Sequence, residues 1–179
     1  MLYLYTMKII LTEQQLKSLI NVKNHSTGQQ QRYDGILIGG LDYRSGDLSL
    51  PEQVSVLQNA SGLSNIKGFG YNSSDMDISK FITNNPNLPI VLFSAGCHKA
   101  DVVLRSKGVN IHRVYLVQPY AASSQSMSYF NNLNMPKNHI YVGSSSSSGF
   151  GIQGATRCPK GMTHWDSLPK IGGTVISMG

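Results

Sequence analysis

The chain has 179 residues, of which 40% are hydrophobic and 13% charged, and its formal net charge is +6. This length and apolar content fit one globular domain over residues 1–179 and exclude a disordered chain. The basic residues are scattered, with no run and no basic stripe among aromatics, so we expect no nucleic-acid partner.

Helical and extended segments alternate along most of the chain. Helices are predicted from periodicity and capping signals at 12–23, from Pro51 onward, at 74–84, 99–106 and 123–133, and for one turn at 163–168. Strands are predicted from apolar runs at 35–40, 66–71, 88–93, 114–117 and 139–143, with a final edge strand at 174–176.

The strand segments are apolar runs without polar alternation, which is typical of strands buried on both faces of a parallel sheet. Right-handed crossovers then predict an α/β fold of three layers, a mostly parallel sheet with helices on both faces. Ligands of such sheets bind beyond the carboxyl ends of the strands. The candidate site is therefore formed by the loops after Gly40, Tyr71, Ser94, Gln118 and Gly143.

One strand-to-helix junction suggests chemistry. The apolar run that begins at Leu88 leads into Ser94-Ala95-Gly96, and a helical segment follows from Lys99. A serine on such a sharp turn can act as a nucleophile, and the next backbone N–H groups can bind an oxyanion. The alternative is a serine that only caps the following helix.

The order of elements around this junction resembles the α/β-hydrolase superfamily. Gly39-Gly40 follows an earlier strand, where that family places its first oxyanion loop; three strand-like segments follow the serine, and His164 comes late. The resemblance covers most of residues 35–168 and implies an α/β-hydrolase-like sheet and a small serine hydrolase of the esterase or amidase type. Leu92 departs from the family's Gly-x-Ser-x-Gly pattern at its first glycine.

The resemblance also implies roles for individual residues. Ser94 would be the nucleophile, and His164 would be the base. The N–H of Ala95 and one N–H near Gly40 or Leu41 would form the oxyanion hole.

The acid that would orient the histidine has several candidates. The family's chain order puts it between the serine and the histidine, where Asp101 is the only acidic residue, and Asp101 falls in the helix just after the serine. Asp75 is our first choice, and Asp77 is its neighbour at the end of the second predicted strand. Asp166, or a neutral group such as Ser144, would be the alternative orienting group.

Aromatic residues fall in or beside the same loops and could form a flat apolar cleft. They are Tyr43, Tyr71, Tyr120, Phe150 and Trp165. We expect a small-molecule or polymer-end acyl substrate and no cofactor. The histidines are far apart and the carboxylates do not cluster, so no metal site is expected.

The two cysteines, Cys97 and Cys158, form no CxxC motif, and we expect free thiols. A bridge between them, or a reactive Cys97 thiolate near a helix N-terminus, are the alternatives. His98, one turn beyond Ser94, is expected to face solvent or the flank of the sheet.

No stretch has the ~20 apolar residues of a membrane helix, and the first eight residues do not form a signal peptide. The cytoplasm is thus the default location.

The low charge, abundant Ser, Asn and Gly, and missing acid favour a second hypothesis, a non-catalytic α/β-hydrolase-like binding or structural protein, surface-exposed or viral. A flavodoxin-like ligand-binding domain that uses the serine-rich loop is the third.

Overall fold

Six parallel strands form the centre of the described part of the structure, a computed structural model. They are β1 (Gly35–Ile38), β2 (Ile66–Phe69), β3 (Ile90–Phe93), β4 (Val114–Val117), β5 (Ile140–Val142) and β6 (Thr156–Arg157). Their order across the sheet is β2-β1-β3-β4-β5-β6, and every neighbouring pair is parallel. The predicted α/β class with a parallel sheet is confirmed.

The structure describes residues 32–42, 46–121, 123–143, 151–158 and 164. The predicted helix at 12–23, the edge strand at 174–176 and most of the turn at 163–168 lie outside these residues. Described residues from Tyr33 onward belong to one compact unit. A single domain over residues 1–179 stays a prediction.

Four α-helices connect the strands within the described ranges. They are α1 (Leu50–Ser61), α2 (Asp75–Asn84), α3 (Ala100–Arg105) and α4 (Ser124–Asn132). Two predicted helix starts are confirmed in the described residues: Pro51 lies in the first turn of α1, and the Ser74 hydroxyl accepts the Asp77 N–H at 3.5 Å. Glu52 adds to the start of α1, because its carboxylate accepts the Ser49 N–H at 2.7 Å. None of the helices in these ranges is long and apolar enough to cross a membrane.

Helices cover both faces of the sheet. In β3, Ile90 and Leu92 pack on the face covered by α2, α3 and α4, whereas Val91 and Phe93 pack on the face of α1. The helix residues buried against the first face are Ile78, Ile82, Ala100, Val103 and Phe130. On the second face Leu57 of α1 is fully buried. Burial of each large aliphatic side chain stabilises the fold by roughly 1.5–3 kcal/mol.

The direction of the chain across the sheet reverses next to β1. The strand that follows β1 in sequence, β2, pairs with one side of it, and β3 pairs with the other side. In doubly wound sheets this reversal opens a crevice at the carboxyl ends of the strands, where ligands bind. The loops after β1 and β3 therefore flank the expected binding crevice.

Two details differ from the sequence prediction. The helix after Ser94 begins as a 3₁₀ segment, Ser94–Lys99, before α3. The short strand β6 was not predicted, because its two residues, Thr156 and Arg157, are exposed and lack the apolar pattern of the other strands.

Asp34 fastens the start of β1 to the turn between α1 and β2. Its carboxylate accepts hydrogen bonds from the Ser64 N–H at 2.9 Å, the Ser64 hydroxyl at 3.0 Å and the Asn65 N–H at 3.0 Å. Partial burial raises the pKa of Asp34, but these hydrogen bonds outweigh it and leave the pKa below its ordinary value.

Replacement of Asp34 by asparagine should lower the free energy of unfolding by about 1–3 kcal/mol at neutral pH, because an amide cannot accept all three bonds. A carboxyl whose pKa is lower in the folded state stabilises above its unfolded pKa, so the difference from wild type should shrink as pH falls below about 4. Urea denaturation at several pH values measures both effects. Asp101→Asn, which removes an exposed ion pair with Arg105, is the control and should cost less than about 1 kcal/mol. An equal loss for both variants, or one that is independent of pH, would contradict this account.

Candidate active site at the carboxyl edge of the sheet

Ser94 has a backbone conformation that is rare for a serine. It follows directly after β3 and has a φ of +53°, in the left-handed region. A non-glycine residue in a sparsely populated region costs on the order of 1–3 kcal/mol and persists only where its surroundings fix it. Among the described residues, Gln118 is the other non-glycine residue with positive φ.

Two glycines let the turn at Ser94 lie directly against the end of β1. A Cβ added to Gly96 would overlap the Ile38 carbonyl oxygen and lie 2.6 Å from the Gly39 carbonyl oxygen. A Cβ added to Gly40 would lie 2.7 Å from the Ser94 Cβ. The backbone of the turn is therefore held by the end of β1, and the Ser94 side chain is adjacent to Gly40.

Leu92 occupies the position where the hydrolase pattern has a glycine. Its side chain is fully buried and packs with the core on the α2–α4 face. Its backbone pairs in register with Ile38 of β1 and Leu116 of β4. A bulky residue is compatible with the turn here because its side chain points into the core.

The predicted oxyanion donors have different surroundings. Ala95 is buried in the first turn of the 3₁₀ segment, where the helix itself supplies no acceptor for its N–H. The N–H of Gly40 donates to the side-chain oxygen Oε1 of Gln53 at 3.0 Å. Ala95 and Leu41 remain candidate donors, while Gly40 contributes the space that its missing side chain leaves beside Ser94.

His164 lies close to the end of β3. Its ring centroid is 5.0 Å from that of Phe93, the residue before Ser94. Burial lowers the pKa of His164 below its ordinary value, and the opposing charge of Asp47 raises it by a smaller amount. The imidazole is therefore neutral at pH 7, which is the form that can accept a proton.

Asp47 is an acidic residue whose charge raises the pKa of His164, and it was not among the candidates from the sequence. Asp47 lies in the segment between β1 and α1. Asp47 follows the first strand and the glycine pair in the sequence, which could have placed it at the carboxyl edge of the sheet, the edge at which Ser94 lies. Asp75, the first choice from the sequence, also follows a strand, but that strand, β2, lies at the outer edge of the sheet.

The sequence candidates for the acid have other partners or lie outside the description. Asp75 begins α2, is exposed, and forms an ion pair with Lys99 at 2.6 Å. Asp77 is exposed in the same helical turn. Asp101 forms the exposed ion pair with Arg105 at 3.6 Å. Asp166 and Ser144 lie outside the described residues.

The predicted aromatic cleft is described only in part. Tyr71 is half-buried in the turn after β2, and Tyr120 is exposed after β4. Both therefore follow strands at the carboxyl edge. Tyr43, Phe150 and Trp165 lie outside the described residues.

His98 is exposed, as expected; its ring stacks on Tyr129 and its Nε2 lies 3.1 Å from the carbonyl oxygen of Tyr120.

Both cysteines are free and buried. The Cys97 thiol donates to the Leu92 carbonyl oxygen at 3.2 Å, and burial raises its pKa well above the ordinary value. The alternative of a reactive Cys97 thiolate is therefore wrong. Burial also raises the pKa of Cys158, to about 11.

Neither a metal cluster in the described residues nor the groove between α3 and α4 adds to this site. In the described ranges no three His, Cys, Asp or Glu residues are grouped to bind a metal ion. A groove of about 490 Å³ lies between α3 and α4, lined by Asp101, Leu104, Tyr129 and Leu133 among others. It contains none of the residues predicted for catalysis, apart from the rejected acid candidate Asp101.

Comparison with protein-family models, with curated proteins and with solved structures finds no match for this chain. Its function is therefore inferred from the geometry at Ser94, Asp47 and His164.

Proposed function

We propose that the protein is a small serine hydrolase of the esterase or amidase type, with Ser94 as nucleophile and His164 as base. The observation that carries the proposal is the left-handed Ser94 on the tight turn between β3 and the following helical segment. A serine on such a turn exposes its hydroxyl at the edge of the sheet, where a substrate can reach it. The turn also flanks the crevice at which doubly wound sheets bind ligands.

Other serines of this chain show that Ser94 differs from an ordinary helix cap. Ser49, Ser74 and Ser123 each precede a helix, with φ values of −61°, −60° and −137°. A capping serine needs no left-handed backbone. The strain at Ser94 therefore favours the nucleophile over the cap.

The proposed reaction uses groups at the carboxyl edge. Neutral His164 removes the proton from the Ser94 hydroxyl as Oγ attacks the substrate carbonyl. The N–H groups of Ala95 and Leu41 stabilise the oxyanion that forms. The protonated imidazole then donates its proton to the leaving group, and water, deprotonated by His164, hydrolyses the acyl-enzyme.

In this proposal Asp47, rather than Asp75, stabilises the imidazolium. Its charge acts on His164, whereas Asp75 is neutralised by Lys99. Tyr71 and Tyr120 would line the approach of an acyl substrate from the loops after β2 and β4. The α/β-hydrolase resemblance agrees with a serine after the third strand and a histidine after the last described strand.

A ligand-binding domain without chemistry is the alternative. The strand order β2-β1-β3-β4-β5 is also that of flavodoxin-like sheets, which bind ligands at the same crevice. That order alone does not account for the left-handed Ser94.

Ser94→Ala should abolish hydrolysis of a p-nitrophenyl acyl ester, with kcat reduced at least about 10³-fold, because the nucleophile is removed. Steady-state kinetics measure the loss, and thermal denaturation checks that the variant is folded. The control is Ser124→Ala, at an exposed serine in the first turn of α4, which should keep wild-type activity. Equal activity of Ser94→Ala and wild type would refute the proposal.

Asp47→Asn should lower kcat/KM by between about 10-fold and 10⁴-fold, since the imidazolium loses its stabilising charge. The acid limb of the pH profile reports the pKa of the free base, so in wild type it should lie below about 6.5. Loss of the Asp47 charge lowers the pKa of His164 further and should move this limb to lower pH. Asp75→Asn is the control. If only Asp75→Asn changed the rate and the limb, the acid would be Asp75.

A further inference from the structure

Beyond the groups that would touch a substrate, we infer that Gln53 is a positioning residue whose buried amide clamps both ends of the loop between β1 and α1. The two residues that the amide binds, Gly40 and Leu48, are chain neighbours of Leu41 and Asp47, so the inference rests on the proposed function.

Both ends of the Gln53 amide are used. The side chain is fully buried; its Oε1 accepts the Gly40 N–H at 3.0 Å, and its Nε2 donates to the Leu48 carbonyl oxygen at 2.8 Å. One amide thus joins the beginning of the loop to its end. A buried polar group without a hydrogen-bond partner is costly, so the loss of either bond would destabilise this position of the amide.

The position of the amide is itself fixed. Gln53 belongs to the first turn of α1, and its backbone N–H donates to the Ser49 carbonyl oxygen at 2.9 Å. On the other side, a Cβ added to Gly39 would lie 2.7 Å from Gln53 Oε1. The amide therefore fills the space that this glycine leaves and cannot shift without moving α1 or the end of β1.

The clamp acts on two groups of the proposed mechanism. The Gly40 N–H is directed to Gln53, which fixes the Gly39–Gly40 peptide plane, one peptide before the N–H of Leu41, the candidate oxyanion donor. At the other end, the clamped Leu48 carbonyl follows Asp47, whose charge acts on His164. A misplacement of about 1 Å in such groups can reduce a rate about 10²-fold.

The test compares Gln53→Met, which keeps the size and removes both hydrogen bonds, with Gln58→Met. Gln58 lies on the same helix and also donates to a backbone oxygen, that of Ser64 at 2.8 Å, at the opposite end of α1. The pKa of His164 is measured by NMR titration of its ring proton, which is assigned with a His164→Gln variant. Ester hydrolysis is measured on the same proteins.

Gln53→Met should lower the pKa of His164 in the direction of the Asp47→Asn variant and reduce kcat/KM about 10- to 10²-fold. Gln58→Met should change neither quantity. In the Gln53→Met/Asp47→Asn double variant the pKa should fall no further than in Asp47→Asn, because the clamp acts through Asp47. A folded Gln53→Met protein with the wild-type pKa of His164 would overturn the inference.

Two provisions keep the test decisive. If Gln53→Met does not fold, Gln53→Leu replaces it: it removes both hydrogen bonds, adds no charge, and should again lower the pKa of His164. An unchanged pKa in that variant would also overturn the clamp. If wild type hydrolyses no ester, the proposed function fails, while the titration still decides whether Gln53 positions Asp47.

Discussion

The conformation of the candidate site depends on one backbone contact, between the turn after β3 and the end of β1. Gly96 packs against the carbonyl groups of Ile38 and Gly39 at a separation that excludes any side chain. This contact lies at the point where the chain changes direction across the sheet. It fixes the left-handed conformation of Ser94 and keeps the hydroxyl beside Gly40. The topology of the sheet thus determines where the candidate nucleophile lies.

Buried amides complete this edge of the sheet. Parallel strands end in loops whose N–H groups need acceptors, and a buried donor without one is costly. Gln53 accepts the N–H of Gly40 after β1, and Gln118 accepts the N–H of Gly143 after β5 at 2.9 Å. Gln118 also donates to the Cys158 sulfur at 3.6 Å, at the end of β6. The loops on both sides of Ser94 are thus tied to buried side chains.

The sequence predicted the fold in most of the described region. Five predicted strands are present, and three of them, β1, β3 and β4, are buried along their whole length, which leaves a clear hydrophobic pattern in the sequence. Ser74 and Pro51 marked helix starts correctly. The strand β6 left no such signal, since Thr156 and Arg157 are exposed and pair with β5 through the backbone.

The site was less predictable than the fold. The serine turn could be predicted from the pattern around Ser94. The positive φ of Ser94 and the contact of Gly96 with the end of β1 are seen only in the structure. Asp47 was not among the candidate acids, which were taken from the order of the resembled family and from the end of the second strand, not from the loop after β1. The role of Gln53 depends on two hydrogen bonds that no local pattern reveals.

The most direct test of the central claim, that the strained Ser94 is a nucleophile, is covalent reaction with a fluorophosphonate, followed by peptide mass spectrometry. A serine activated by His164 should carry the phosphonyl group, and the adduct should map to Ser94 and be lost after denaturation before labelling. No adduct on the folded protein, or an adduct on another serine, would contradict the claim.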